Sequence, residues 1–163
     1  MEDQVMTSET VEARTARRED EIQLRELAER YARMMDRMNF DWLPQVFAED
    51  GVLAGPGYEM TGHDQLRQGL QSLDQFSATL HSVLNTYFEI DGDRATGEIY
   101  CVANHVHEIE SIPFKLDMGI RYEDTYSRVA GEWVIARRAF NMVWETHRPM
   151  RLDAQGKPLA AEA

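Results

Sequence analysis

Two residues invite a joint chemical reading: Asp36, at the end of an apolar helical stripe, and His81, in an alternating strand-like run. On a 3.6-residue period Leu24, Leu27, Ala28, Tyr31, Met34, Met35 and Met38 form one face, and Asp36 lies near its edge in the final turn. A carboxylate buried there needs a hydrogen-bonded or cationic partner. His81 is the candidate. An imidazole held in one tautomer by a carboxylate is a general base suited to neutral pH. The alternative is structural, with Asp36 capping the turn into Asn39-Phe40-Asp41. Periodicity alone leaves the two readings even.

The strand pattern decides which side chains could join them. From Ala78, residues His81, Val83, Asn85 and Tyr87 share one face, and Leu80, Leu84, Phe88 and Ile90 the other. The second set is the more apolar, so the His81 face is either the polar-tipped lining of a pocket or solvent-exposed. The pattern by itself favours exposure. On the next strand Ile99, Cys101, Ala103, His105 and His107 alternate with Tyr100, Val102, Asn104 and Val106. His105 and His107 project the same way, about 7 Å apart. Such a pair can ligate a metal, but no third ligand at suitable spacing and no HExxH accompanies it, so no metal is expected. Either one histidine enters a pocket with the other at the rim, or both are solvated. Trp42, Tyr58, Met60, Phe88, Met118, Phe140 and Trp144 could wall a site for a ring-bearing compound, core packing being the commoner role for each.

The elements that must position these residues follow in order. Residues 1–19 are polar and lack aromatics, which predicts a flexible arm. Helical periodicity runs from Asp20 to about Met38, and a short helix with Pro44 near its start covers Phe40 to Ala48. Short strands at Val52–Ala54 and Tyr58–Met60 flank Gly55-Pro56-Gly57, and a third helix starting at Thr61 or His63 carries Leu66, Leu70 and Leu73. Strands are then predicted over Ala78–Ile90, Arg94–Glu108, Leu116–Arg128 and Trp133–Trp144, with turns at Asp91-Gly92-Asp93 and Ala130-Gly131-Glu132, a loop at Ser111–Phe114 and a polar tail over 148–163. Helices followed by a meander predict one α+β domain over 20–147, with a curved antiparallel sheet wrapped around the long N-terminal helix. The open mouth of such a cone is where a small ligand would enter.

Composition narrows the partners. The chain has 163 residues, 17 basic against 29 acidic, for a net charge of −12, and no basic cluster beyond Arg17-Arg18 and Arg137-Arg138. Nucleic acid and anionic membrane are therefore not expected partners. Cys101 is the single cysteine, and neither an apolar leader nor a run of membrane-spanning length is present, so the expected setting is the cytoplasm.

Several strings in this order resemble the SnoaL-like branch of the nuclear transport factor two-like superfamily, cone-shaped α+β barrels. They are Arg30-Tyr31 with Asp36, Phe47-Ala48-Glu49-Asp50-Gly51, Gly62, Leu80-His81, Asn85, Ile90-Asp91-Gly92-Asp93-Arg94-Ala95, Tyr122-Glu123-Asp124, Gly131-Glu132-Trp133 and Arg138. The Tyr-x4-Asp helix end with a strand histidine is similar to the scytalone dehydratase, bile-acid dehydratase and hexachlorocyclohexane dehydrochlorinase group. The resemblance implies a cofactor-independent lyase working by elimination on a small, mostly apolar, hydroxylated aromatic or alicyclic compound. In that reading Asp36 orients His81, Tyr31 hydrogen-bonds a substrate oxygen or leaving group, and His105 is a second acid/base. Asn104 and His107 remain alternatives to His105, since the chain reads Cys101-Val102-Ala103-Asn104-His105 where the bile-acid group has an acid. Trp42, Tyr58, Asn104, His107, Met118 and Phe140 are the expected substrate-binding set. A lyase that releases formaldehyde from lignin-derived diaryl diols is another relative. Ketosteroid-isomerase-like chemistry and a non-catalytic binding or assembly module are the alternatives, and the resemblance also implies a homodimer or homotrimer.

Overall fold

The computed structural model describes residues 10–110 and 112–150. Helix α1, Val11–Asp36, starts nine residues before the apolar period does. Thr10 caps it, its hydroxyl oxygen accepting from the Ala13 N–H at 3.1 Å. The first two turns are exposed, so capping and helix-forming residues hold them without an apolar stripe. The expected arm thus gives way to helix over 11–19, and its residues 1–9 lie outside the described set. At the other end the Asn39 N–H bonds the Met34 carbonyl and the Met38 N–H that of Met35, with Met38 left-handed at φ 50°. This is a Schellman closure with a non-glycine residue in the reversing position. It leaves Asp36 as the last helical residue, where the negative pole of the helix disfavours an acid unless donors reach it.

A 3₁₀ turn, Phe40–Trp42, leads into a one-turn helix α2, Leu43–Val46, shorter than the sequence suggests because the chain already extends at Phe47. Strands β1 (Phe47–Gly55) and β2 (Tyr58–Thr61) form a hairpin, followed by α3 (Gly62–Leu70) and a 3₁₀ turn, Gln71–Gln75. Four long strands follow: β3 (Ala78–Asp91), β4 (Arg94–Ile109), β5 (Ile112–Val129) and β6 (Glu132–Pro149). Residues 112–114 of the loop expected over 111–114 belong to β5, Ile112 pairing with Ile109 and Pro113 with Glu108. Arg148 and Pro149 likewise belong to β6, paired with Lys115 and Phe114, and not to the tail.

The architecture is the expected α+β one, a long N-terminal helix on a curved, unclosed six-stranded sheet of order β2-β1-β6-β5-β4-β3. Its one parallel pairing, β1 to β6, ties the early hairpin to the last strand. Leu24, Leu27, Tyr31 and Met34 of α1 pack with Ile99, Cys101, Ile120, Tyr122 and Ile135 of the sheet in a single core.

The faces of β3 depart from simple alternation. Pairing runs His81 to Ala103 and Val83 to Cys101, then resumes at Thr86 to Ile99, so β3 carries one extra residue between Val83 and Thr86. This bulge inverts parity: His81 and Val83 point inward before it, Phe88 and Ile90 after it. Leu80 and Leu84, 57% and 48% exposed, are turned out, against the expected apolar set. Deleting Asn85 removes the extra residue and should leave His81, Val83, Phe88 and Ile90 inward on one uninterrupted register, so the loss of stability should stay below the about 1.5–3 kcal/mol that turning out even one of these side chains would cost. Denaturant titration checks this, and a larger loss would contradict it.

Candidate functional site

Asp36 and His81 meet at the junction of α1 and β3. The carboxylate accepts the His81 backbone N–H at 2.9 and 3.1 Å and approaches Nδ1 of the ring at 2.7 Å. Thr79 adds a longer contact at 3.4 Å. These donors compensate an acid at the wrong pole of its helix, and no described residue of the Asn39–Asp41 turn bonds it. An ionised carboxylate only accepts, so Nδ1 carries the hydrogen and Nε2 is left with its lone pair. The His81 side chain is 4% exposed and that of Asp36 21%.

His81 also lines a cavity of about 400 Å³ between α1, the α3 region and the concave face of the sheet. Tyr31, His105, Met118 and Phe140 line it too, with the more exposed Tyr58 at its rim. Met60, Leu53, Leu73, Ile120 and Tyr122 complete its apolar part. Tyr122 and Ile120 could have been found from the sequence, since they share the two-residue period of Met118 on β5. The His81 and His105 rings meet edge to face at 5.4 Å between centroids.

His105 is 2% exposed and its Nδ1 has no hydrogen-bond partner. Burial, reinforced by His81, pushes its pKa down to about 4, so the ring is neutral at physiological pH. The consequence for stability has a definite sign. A histidine depressed in the folded state is protonated first in the unfolded chain, so stability falls as pH drops from about 6.5 towards 4. Over that window His105 should account for about 3 kcal/mol. In His105→Gln the acid-side loss of unfolding free energy should be smaller by that amount, which denaturant titrations at both ends measure. Burial likewise pushes Tyr31 up to about 12, keeping its hydroxyl protonated.

Three expected binding residues lie elsewhere. Trp42 sits on the outer side of α1 with the Arg33 guanidinium 5.4 Å from its ring, because the 3₁₀ turn carries it past the cavity. Asn104 occupies the outward parity of β4 and donates to Asp117 at 2.6 Å. His107 shares the parity of His105 but lies beyond the cavity, where its Nε2 meets that of His147 at 2.6 Å. Of the other candidate walls, Phe88 packs in the core against Tyr126, and Trp144 lies across Gly119 and is 47% exposed.

Two charges of the sheet, Arg138 and Asp124, prove central. Arg138 and Asp124 are buried and joined by two hydrogen bonds, at 2.9 and 2.5 Å, with the Tyr126 hydroxyl donating to Asp124 at 2.6 Å. The guanidinium lies between the rings of Tyr31 and Tyr122, 4.1 and 4.4 Å from their centroids. It thereby braces two cavity phenols from behind. Among the described residues no three His, Cys, Asp or Glu side chains gather as a metal site, and no helix is long and apolar enough to cross a membrane.

Residues 16–139 match the SnoaL-like domain model. The chain belongs to the SnoaL-like family. Uncharacterized proteins of Mycobacterium tuberculosis and Mycobacterium bovis are 27% identical over 127 residues, 73% of this SnoaL-like chain and 82% of theirs. Among solved structures, a Kribbella flavida protein superposes with a TM-score of 0.74 at 24% identity, covering 79% of this chain and 94% of its own. A Novosphingobium aromaticivorans protein provisionally named a scytalone dehydratase gives 0.72 at 20% identity, over 88% and 95%. The hexachlorocyclohexane dehydrochlorinase of Novosphingobium barchaimii gives 0.71 at 14% identity, over 81% and 92%. At these identities the likeness is one of SnoaL-like fold.

Proposed function

We propose that this SnoaL-like chain is a cofactor-independent lyase that eliminates a small group from a mostly apolar, hydroxylated ring compound. The observation that carries the reading is the Asp36–His81 pair, in which the carboxylate holds Nδ1 and the ring borders an apolar cavity. Nε2 of His81 takes a proton from carbon, the electrons of that C–H bond form the new double bond, and the C–O bond breaks. Tyr31, whose hydroxyl stays protonated, donates a hydrogen bond to the departing oxygen, and neutral His105 is the second exchanger of protons. Tyr58, Met118 and Phe140 contact the ring. Fold neighbours named as a dehydrochlorinase and, provisionally, a dehydratase support an elimination.

Mass spectrometry of products from a panel of hydroxylated ring compounds, lignin-derived diaryl diols included, tests this. Loss of water is expected, or of water together with formaldehyde where the base takes the proton of a hydroxymethyl O–H and the C–C bond to that carbon breaks in place of the C–H bond. A product of unchanged mass would point to an isomerase, and binding without turnover to a non-catalytic module.

The same reading places a second copy of the chain, as homodimer or homotrimer, on the convex face of the sheet. Leu80, Leu84, Val143 and Trp144 are all exposed there. A light-scattering mass of one chain would contradict this.

A further inference from the structure

We propose that the cavity selects ligands by charge, taking a neutral ring compound and rejecting its carboxylate or phosphate counterpart. This rests on the reading of the cavity as a substrate site, and adds the property by which that site discriminates.

Among the described residues the wall holds no Lys, Arg, Asp or Glu. Its ionisable groups are three phenols and two imidazoles, those of Tyr31, Tyr58, Tyr122, His81 and His105. Burial raises all three phenols, so they remain neutral donors, and His105 remains a neutral ring. A proton on His81 is balanced by the carboxylate it touches. The one cation placed behind the wall is not available to a ligand. Arg138 is 1% exposed, both Nε and Nη2 are held by Asp124, and the rings of Tyr31 and Tyr122 cover it.

An anion in this space would give up water and gain no counter-charge, whereas a hydroxyl, amide or carbonyl loses only hydrogen bonds that phenols and imidazoles can replace. The net charge of −12 lowers the local concentration of anions further. Shape cannot supply this discrimination, since a carboxylate and its amide are nearly isosteric.

The test uses the wild-type protein and the isosteric pair 2-naphthamide and 2-naphthoate at neutral pH. Binding is read by calorimetry and by movement of the His105 imidazole resonances, which report on this cavity and not on the surface. The amide is expected to bind about 100-fold more tightly or better. A smaller ratio, tighter binding of the naphthoate, or failure of the amide to move His105 would overturn the proposal. No product is measured, so the two readings fail separately. Absence of any lyase activity would leave the binding ratio standing, and equal binding of the naphthoate would leave a His81-dependent turnover standing.

Discussion

His81→Ala is expected to lower turnover by about 10²- to 10⁴-fold, the span that one general base contributes. The loss should appear equally in kcat and kcat/KM, because the ring acts on a proton in flight and not on the bound ground state. Folding should survive, since the His81 backbone N–H still reaches Asp36 at 2.9 Å when the ring is gone. Asp36→Asn should reduce turnover by a different route. The amide can present a donor to Nδ1, which moves the ring hydrogen to Nε2 and removes the lone pair from the cavity. Steady-state kinetics of the two variants on any compound the wild type converts, alongside their unfolding curves, check both expectations. Full activity in either one contradicts the proposed roles.

The largest effect on stability is expected at Arg138. Arg138→Met strips the buried Asp124 carboxylate of two charge-assisted hydrogen bonds and leaves it the Tyr126 hydroxyl alone. Removing one partner of a buried ion pair costs about 3–5 kcal/mol, much of it the penalty of an uncompensated charge. Adding Asp124→Leu should therefore recover most of the loss, and a double-mutant cycle by denaturant titration would show strong coupling. Additive losses would mean that the two charges do not depend on each other. The single variant also withdraws the guanidinium from between Tyr31 and Tyr122, so the cavity wall should loosen where those phenols stand.

How far such features can be read from the chain depends on whether they follow a simple period. The stripe from Leu24 to Met35 does, and every residue read from that span is buried. The long strands do as well, and their turns at Gly92 and Gly131 are marked by residues with φ of 58° and 89°. Side-chain direction does not, wherever a bulge adds a residue. On β3 one extra residue brings His81 and Phe88 to the same side although their numbers differ by an odd count. On β6 an extra residue near Ala136 does the same for Ile135 and Arg138. Pairing partners set these irregularities, and a strand does not disclose its partner. The parallel contact of β1 with β6 was illegible for the same reason.

Within the site, Asp36 and His81 could be paired on chemical need, because a carboxylate at a helix C-terminus must find donors. Trp42, Asn104 and His107 could not be sorted, since an aromatic, amide or imidazole serves a cavity and an outer surface equally well. Asp124 and Arg138 carry charges of the kind that usually stand in solvent, and only their bidentate geometry reveals a pair that can stand inside.

Nitrogen-edited proton NMR of the imidazole rings at mildly alkaline pH needs no substrate and bears directly on the Asp36–His81 pair. The structure calls for His81 with its hydrogen on Nδ1, slowed in exchange by the Asp36 carboxylate, and with a bare Nε2. A hydrogen on Nε2, or two tautomers in rapid exchange, would mean that Asp36 does not hold the ring and that His81 has no lone pair fixed towards the cavity.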